Sequence, residues 1–588
     1  MDESNAPSVK SKLPLILIAA LVQGMGLLAL DHAGADHREP AWRLALWVAV
    51  FFGPLTVQLL AAHARNPVMW ALAAGITGIF FYFGWHEGAT RLSNTFDEHF
   101  AFAVALTVLW LLILPFVQAR LSGGQWRNPY ATVFADAWHN ILALAEAALF
   151  TGLFWLLLEL WQALFGMLKI QLFSHLFNST GFIYPVTALT FGIGLHLIGS
   201  IDRLTSVVLE QLLNVLKWLA LVAGCLLTLF TVALVFSLPG LVFAGERAIS
   251  SVWLLWLVAV IVLLLNAAFR DGSIQRPYPQ WIAVALRCAV PLTVVIAATA
   301  IYSLGVRTQH YGITVARCWA WIVAGTLLLY CVGYSFAAFN RAVWMGGMAR
   351  VNVVVAIILM LVIATTLTPA LAPERLAANS QFARILNRSL SDAEKQVQAG
   401  SPFVYLRFDS GTYGEARLKQ LAAQTAVGPD GDDIRRRAVA ALAMEDRGAA
   451  FQEASYDEFR KSLGKALIYP ADRTLGNTLV EALVAKWKTE PDETLNQGCA
   501  MGNCLGIFVD LNSDGVEEFV LMSTNLGWAF EQHDGEWRSI GRVWNQTPAG
   551  ITWQPIRDAA ARSEISAVTP QWQELSIGGR KFRVSADR

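Results

Sequence analysis

Three oxygen-bearing side chains alternate ahead of a glycine in "FVDLNSDGVEEFVLM", residues 508–522: Asp510, Asn512 and Asp514, then Gly515, with Glu518 three residues on. Alternate positions of a tight loop aim their oxygens at one centre. The Val516 carbonyl and the Glu518 carboxylate stand at the seventh and ninth positions of that loop, where a calcium ion takes further ligands. A full EF-hand needs a glutamate at the twelfth position, and Leu521 stands there. The stretch therefore reads as a shorter strand–loop–strand calcium loop, similar to those of integrin-type propeller repeats, present in one clear copy. The competing reading is an Asx-rich hairpin turn that binds nothing, because Asn, Asp and Gly favour turns by themselves. A calcium ion here is structural, since nothing beside the loop activates a water or a nucleophile.

Cys499 and Cys504 lie just ahead of this loop, in "NQGCAMGNC". Zinc would want a second pair of ligands, and the sequence offers none at matching spacing. A disulfide is the better reading, and it expects an oxidising compartment. Cys225, Cys288, Cys318 and Cys331 fall in apolar runs and read as small buried residues.

Ionisable residues inside apolar runs are the next candidates, because charge at membrane depth is costly. "DAWHNILALAEAALFTGLFWLLLELW" carries Asp136, His139, Glu146 and Glu159, with Asn140 beside them. His139 and Glu146 are a heptad apart and share a helix face. "FIYPVTALTFGIGLHLIG" adds Pro185, three glycines and His196. Proline and glycine mark the broken helices of transporter sites, and equally serve close helix packing. The stripe of His139, Glu146 and Glu159 either lines a proton or ion path, or bonds other helices or sits near the interface; His196 belongs to the separate choice between transport site and helix packing in the sixth span. Acidic and histidine residues also gather between runs (His32, His37, His86, His99, Asp31, Asp36, Glu39, Glu87, Asp97, Glu98), without the spacing of a known metal site. No P-loop, GxSxG elbow or HExxH motif occurs.

The elements that must carry these residues differ sharply along the chain. The 588 residues are 55% hydrophobic and 15% charged, with zero formal net charge, against about 25% charged in ordinary soluble domains. Residues 1–372 hold 19 Lys and Arg with 15 Asp and Glu, while the shorter 373–588 holds 25 with 29. The balanced charge argues against nucleic acid as a partner. Eleven apolar runs in the front part approach or exceed the ~18–20 residues a helix needs to cross a bilayer. They cover about 13–30, 42–62, 67–85, 99–118, 138–166, 181–200, 214–237, 252–269, 280–303, 314–337 and 351–371. The run at 138–166 is too long for a straight crossing and must tilt, kink or extend past the lipid.

Counted in alternate loops, Lys10, Lys12, Arg65, Arg120, Arg127, Arg203, Arg270, Arg276, Arg341 and Arg350 oppose Arg38, Arg91, Lys169, Arg247 and Arg307. The richer set marks the cytoplasmic side, which includes the N-terminus. An odd number of spans then carries residues 373–588 outside. The first run resembles a signal peptide, but Asp31 and His32 separate it from the Ala33-Gly34-Ala35 segment, which favours an uncleaved span.

Residues 373–490 show three-to-four apolar spacing and read as mainly helical, with "SPFVYLRF" at 401–408 as a strand or extended link. Residues 491–588 read as β-rich: "LGIFVDLN" pairs with "VEEFVLMS", and hairpins turn at Asp534-Gly535 and Gly578-Gly579. The expected fold class is an α-helical polytopic membrane protein followed by a C-terminal soluble α+β domain.

Three stretches, "FIYPVTALTFGIGLHL", "QHYGITVARCWAWIVAGTLLLYCVGY" at 309–334 and "SPFVYLRFDSGTYGEARLKQL" at 401–421, together resemble the bacterial membrane proteins grouped as domain of unknown function 4153. The resemblance implies a polytopic inner-membrane protein of a Gram-negative bacterium. It implies no reaction, substrate or catalytic residue. Within it, Tyr311-Gly312-Ile313-Thr314 followed by Arg317 is placed to cap or anchor the tenth span. The reading as a whole is a non-enzymatic anchoring, sensing or partner-binding envelope protein with a periplasmic domain. Its expected partners are the lipid bilayer and an envelope protein. The alternative is a transporter or lipid-handling protein working through the fifth and sixth spans.

Overall fold

Backbone amides and carbonyls cannot be left unpaired in hydrocarbon, so long apolar runs fold as helices. The computed structural model describes residues 12–33, 40–91, 96–123, 130–199, 202–243, 250–272, 278–339, 344–387, 401–423, 429–444, 456, 459–490, 492–500, 502–523, 526–544, 553–562, 564–565, 575–577 and 580–582. Eleven of its helical segments are long and apolar enough to cross a membrane. The chain forms two compact units, Met1–Leu390 with Tyr405–Leu442, and Ser391–Val404 with Ala443–Arg588.

The first unit holds α1 (Leu13–His32), α2 (Ala41–Leu59), α3 (Pro67–Thr90), α4 (Phe96–Gly123), α5 (Tyr130–Met167), α6 (Leu172–Phe177), α7 (Thr180–Gly199), α8 (Asp202–Phe243) and α9 (Ser251–Phe269). It continues through α10 (Gln280–Ala289), α11 (Leu292–Tyr311), α12 (Val315–Phe339) and α13 (Met348–Thr366). The ninth apolar run is thus two helices, divided at Val290-Pro291. The long fifth run is one 38-residue helix, roughly 57 Å from end to end at 1.5 Å per residue, so it outreaches a bilayer. The tight turn after α2 ends at Asn66, whose side chain accepts the Val68 amide at 3.0 Å while Pro67 starts α3.

Small residues let these helices approach closely, and buried polar groups bond across them. A Cβ on Gly24 would lie 2.6 Å from Pro185 Cα, and one on Gly192 would lie 2.9 Å from the Ala20 side chain. These glycines therefore seat α7 against α1. Gly194 stands likewise against Ala147 of α5, and α7 runs unbroken through Pro185. Asn140 is buried and exchanges two hydrogen bonds with Gln118 of α4, at 3.0 and 2.7 Å. A larger knot ties four helices. Asn266 of α9 donates to Tyr334 OH at 2.5 Å, and Tyr334 donates to Asn352 of α13 at 2.5 Å. Asn352 in turn donates to Tyr130 OH of α5 at 2.8 Å and to Asn266 at 2.6 Å.

Further helices of the first unit are α14 (Pro373–Leu386), α15 (Pro402–Phe408), which enters it at Tyr405, and α16 (Gly411–Ala423). α17 (Pro429–Ala443) follows, belonging to it up to Leu442. The unit thus reaches past residue 372, where composition changes. The expectation of a strand or link at 401–408 is corrected: this segment is helical. Ser401 supplies the reason, since its Oγ accepts the Phe403 amide at 3.3 Å with Pro402 at the first helical position.

The second unit is built on a five-stranded sheet in the order β1-β2-β3-β4-β5. The strands are β1 (Leu467–Tyr469), β2 (Leu505–Val509), β3 (Glu518–Met522), β4 (Leu526–His533) and β5 (Glu536–Trp544). β1 runs parallel to β2 and the other neighbours are antiparallel. The β4–β5 hairpin turns at Asp534-Gly535, and a separate two-stranded hairpin joins β6 (Leu575–Ile577) to β7 (Arg580–Phe582). Helices α18 (Asn477–Thr489), α19 (Glu493–Ala500) and α20 (Trp553–Ala561) belong to this unit, and the last two lie in the region from 491 beside its strands. Its core stacks Phe459 on Trp487 at 4.7 Å between ring centroids, with Trp528, Phe519, Leu521 and Phe530 buried around them. Phe519 faces Phe530 and Leu521 faces Trp528 across β3 and β4, the cross-strand pairing that stabilises a sheet face.

Candidate functional site

A helix ends with orphan carbonyls and begins with orphan amides, and a sharp turn between two helices exposes both sets at once. The turn between α11 and α12 is Gly312-Ile313-Thr314, within the "YGIT" stretch. Its carbonyls are met by donors. Arg384 Nη1 donates to Tyr311 O at 3.0 Å and Nη2 to His310 O at 3.1 Å. Gln381 Nε2 reaches Tyr311 O at 3.2 Å and Ile313 O at 2.9 Å. Arg317 Nη1 reaches Tyr311 O at 3.2 Å and Gly312 O at 2.7 Å. Cationic donors at a helix C-terminus also meet the negative end of its dipole.

The amides of the same turn meet acceptors. Ile313 N donates to Ser380 Oγ at 2.9 Å, Val315 N to Tyr405 OH at 2.7 Å, and Arg317 N to Thr314 Oγ1 at 3.3 Å. Burial pushes the Tyr405 hydroxyl far up, with the Val315 amide opposing, so it stays protonated and neutral. Gly312 has φ +72°, and a Cβ there would lie 2.5 Å from Arg384 Cδ and 2.9 Å from Gln381 Nε2. Both its conformation and its surroundings require glycine. Ser380, Gln381 and Arg384 come from α14 and Tyr405 from α15, so these helices form a collar clasped onto a turn between two membrane-length helices.

The collar has a second attachment. Gly411, at the start of α16, packs against the Thr90 carbonyl at the end of α3. Beside it Arg91 pairs with Glu87 at 2.5 Å and reaches Glu374 of α14 at 3.7 Å. Glu87 and Glu374 are both buried, and the Arg91 guanidinium between them offsets part of a charge that would be costly in isolation.

The sequence-nominated residues fare differently. The sulfurs of Cys499 and Cys504 stand 2.12 Å apart, a disulfide closing the turn from α19 into β2. The Asp510–Glu518 loop joins β2 to β3. Asp510 Oδ1 and Oδ2 accept the amides of Ser513 and Gly515 at 2.6 and 2.9 Å. Asn512 Oδ1 accepts the Asp514 amide at 2.9 Å while its Nδ2 donates to Asp514 Oδ2 at 2.9 Å. Asp514 Oδ1 accepts the Val516 amide at 2.7 Å, and buried Glu518 accepts the Leu511 amide at 2.7 Å. The loop thus closes on its own backbone, and no group of three His, Cys, Asp or Glu suited to a metal occurs among the described residues.

His139, Glu146, Glu159 and His196 are not gathered into one site. His139 and Glu159 are exposed on the outside of α5, while Glu146 and His196 are half-buried. Of the acidic and histidine residues between runs, Asp36, His37 and Glu39 lie outside the described residues, as do the side chains of Asp97, Glu98 and His99. Buried His86 has Nε2 without a hydrogen-bond partner, and His32 Nδ1 lies 2.9 Å from Leu28 O.

Sequence reasoning reached Tyr311, Gly312 and Arg317, and missed Ser380, Gln381, Arg384 and Tyr405. The i, i+3 pair Gln381 and Arg384 carried a weak signal, two long donors on one face of α14. Comparison of the chain with protein-family models, curated proteins and solved structures yields no match.

Proposed function

We propose that the protein is a non-enzymatic anchoring and partner- or ligand-binding component of a bacterial inner membrane. In this reading the eleven apolar helices span the bilayer with the N-terminus cytoplasmic, and the collar and second unit lie in the periplasm. The clasp at the α11–α12 turn carries the reading, because four side chains, Ser380, Gln381, Arg384 and Tyr405, are spent on fixing α14 and α15 to the span ends. Such rigid mounting suits a platform that presents a surface, and a channel or carrier would rather need freedom at its span ends. The excess of Lys and Arg in one set of loops supports the orientation, and the Cys499–Cys504 disulfide suits an oxidising compartment. The resemblance to the domain of unknown function 4153 proteins fits the same location. A structural calcium ion in the Asp510–Glu518 loop belongs to this proposal, supported by the spacing of its oxygen ligands.

The alternative, transport or lipid handling through the fifth and sixth spans, draws less support, because His139, Glu146, Glu159 and His196 stand apart. One experiment separates the two. A strain lacking the gene is complemented with two sets of variants at matched membrane levels. The anchoring reading expects Arg384→Ala combined with Tyr405→Phe to lose complementation, while Glu146→Gln, Glu159→Gln and His196→Ala keep it. The opposite pattern moves the function into the spans. An impermeant thiol reagent directed at Ala383→Cys in intact cells tests the orientation, and absence of labelling overturns it.

A further inference from the structure

Beside the clasp, α14 and α16 enclose a cleft of about 230 Å³ lined by Arg375, Asn379, Thr412, Tyr413, Arg417 and Gln420. Among the described residues no acidic side chain lines it. Two guanidinium groups therefore face a small volume whose described wall holds no carboxylate.

The hydrogen bonding sharpens this asymmetry. Arg417 donates from Nε and Nη2 to Asn379 Oδ1 at 3.1 and 2.7 Å, and from Nη1 to Gln420 Oε1 at 2.7 Å. Its guanidinium lies 4.9 Å from the centre of the Phe382 ring, which holds the plane in place. These bonds fill the Asn379 oxygen, turn the Gln420 oxygen toward Arg417, and leave the two NH₂ groups. A guanidinium has five N–H donors, so Arg417 itself retains two. Arg375 donates to Pro369 O at 2.9 Å and keeps donors beyond that bond. Burial pushes the Tyr413 hydroxyl up, with Arg375 opposing and the Glu374 carboxylate and Tyr82 adding to the rise, so it is available as a donor. Two carboxylates of the same helices have cationic partners outside the cleft: Glu374 with Arg91 at 3.7 Å and Glu415 with Lys419 at 2.7 Å. What remains in the cleft is a set of donors with two fixed positive charges.

The geometry points to a binding site for a phosphate group, held by Arg375 and Arg417 with Asn379, Gln420, Thr412 and Tyr413. Planar guanidinium donors match the tetrahedral oxygens of phosphate better than they match a spherical halide ion. Two sources share this chemistry, a lipid headgroup and a free phosphate. Arg375 stands nine residues after Thr366, the end of the last membrane-length helix, and exposed Leu371 and Leu376 flank it. That setting brings headgroups within reach.

The test uses the full chain purified in an uncharged maltoside detergent, and reads the shift of its melting temperature. One arm adds inorganic phosphate against chloride at matched ionic strength. The other adds phosphatidylglycerol against diacylglycerol, which lacks the phosphate. A saturable rise with phosphate or phosphatidylglycerol, absent from the paired control, is the expected result. Half-saturation should move about tenfold or more upward in Arg375→Gln and in Arg417→Gln, as loss of a charge-assisted donor pair requires. A response to phosphatidylglycerol alone identifies a headgroup site, and a response to both identifies a general phosphate site. Arg417 also braces Asn379 and Gln420, so Arg375→Gln decides the matter if Arg417→Gln does not fold. No saturable response in either arm, or one that Arg375→Gln leaves unchanged, overturns the inference.

Discussion

The α11–α12 turn and the Asp510–Glu518 loop are both sharp reversals built around a glycine with positive φ, +72° at Gly312 and +87° at Gly515. They solve the same hydrogen-bonding problem with opposite means. The Asp510 loop satisfies its amides from its own side chains, all within a few residues of one another. The α11–α12 turn imports most of its partners from Ser380, Gln381, Arg384 and Tyr405, some 67 to 90 residues away. A self-sufficient turn costs little to alter and affects its own hairpin. A turn closed from afar is a structural joint, and damage to it spreads to every element it holds.

The largest expected effect tests that difference directly. Gly312→Ala should destabilise the first unit by about 3 kcal/mol, combining a left-handed conformation with a clash against Arg384 and Gln381. Gly515→Ala should cost only about 1 kcal/mol, since open space surrounds its Cβ position. Thermal melting of the full chain in detergent compares them, and equal losses would erase the distinction between the two turns.

Replacing Cys499 and Cys504 by serine comes next. A closed loop this short is worth about 2 kcal/mol of unfolded-state entropy. Hydrogen exchange of the β2–β5 backbone amides reads the second unit, and the clasp variants should leave that protection unmoved. Movement of both units by either change would mean that the two units melt as one.

Tyr405→Phe and Ser380→Ala each remove an acceptor from one turn amide and should cost about 1 kcal/mol apiece. A double-mutant cycle sharpens the picture, because groups gripping one turn should couple by more than 0.5 kcal/mol, roughly the limit for independent sites. Strict additivity would show independent bonds in place of a joint. The smallest effect belongs to calcium. It should raise the melting temperature of the second unit's transition in the parent chain and leave the Asp510→Ala, Asp514→Ala variant unmoved. No rise in the parent leaves the loop as a plain turn.

What could be read from sequence follows the same division. Eleven apolar runs are legible because each helix satisfies its backbone internally, so composition alone reports it. The β2–β3 and β4–β5 pairings are legible because turn residues and alternation lie within one short segment. Helix α15 escaped because "FVYLRF" is rich in strand-favouring residues, while its Ser401-Pro402 start was the stronger signal. Of the clasp, Gly312 and Arg317 were visible within their own motif. Ser380, Gln381, Arg384 and Tyr405 were not, since their meaning depends on a packing that brings α14 and α15 to α11. The Asn266–Tyr334–Asn352–Tyr130 knot is invisible for the same reason: each residue alone is one polar side chain in an apolar run.

The first unit loses the chain after Leu390 and takes it back at Tyr405. The two units are therefore interleaved along the gene, and neither is a cassette. A premature stop anywhere between residues 391 and 404 deletes the hydroxyl that caps the first amide of α12, although every membrane-length helix is still encoded. Recombination that exchanges the tail at the compositional step near residue 372 brings a foreign collar to the "YGIT" turn. Evolution can thus vary the second unit freely only downstream of Leu442, and shuffling of domains at that later point is the route the architecture leaves open.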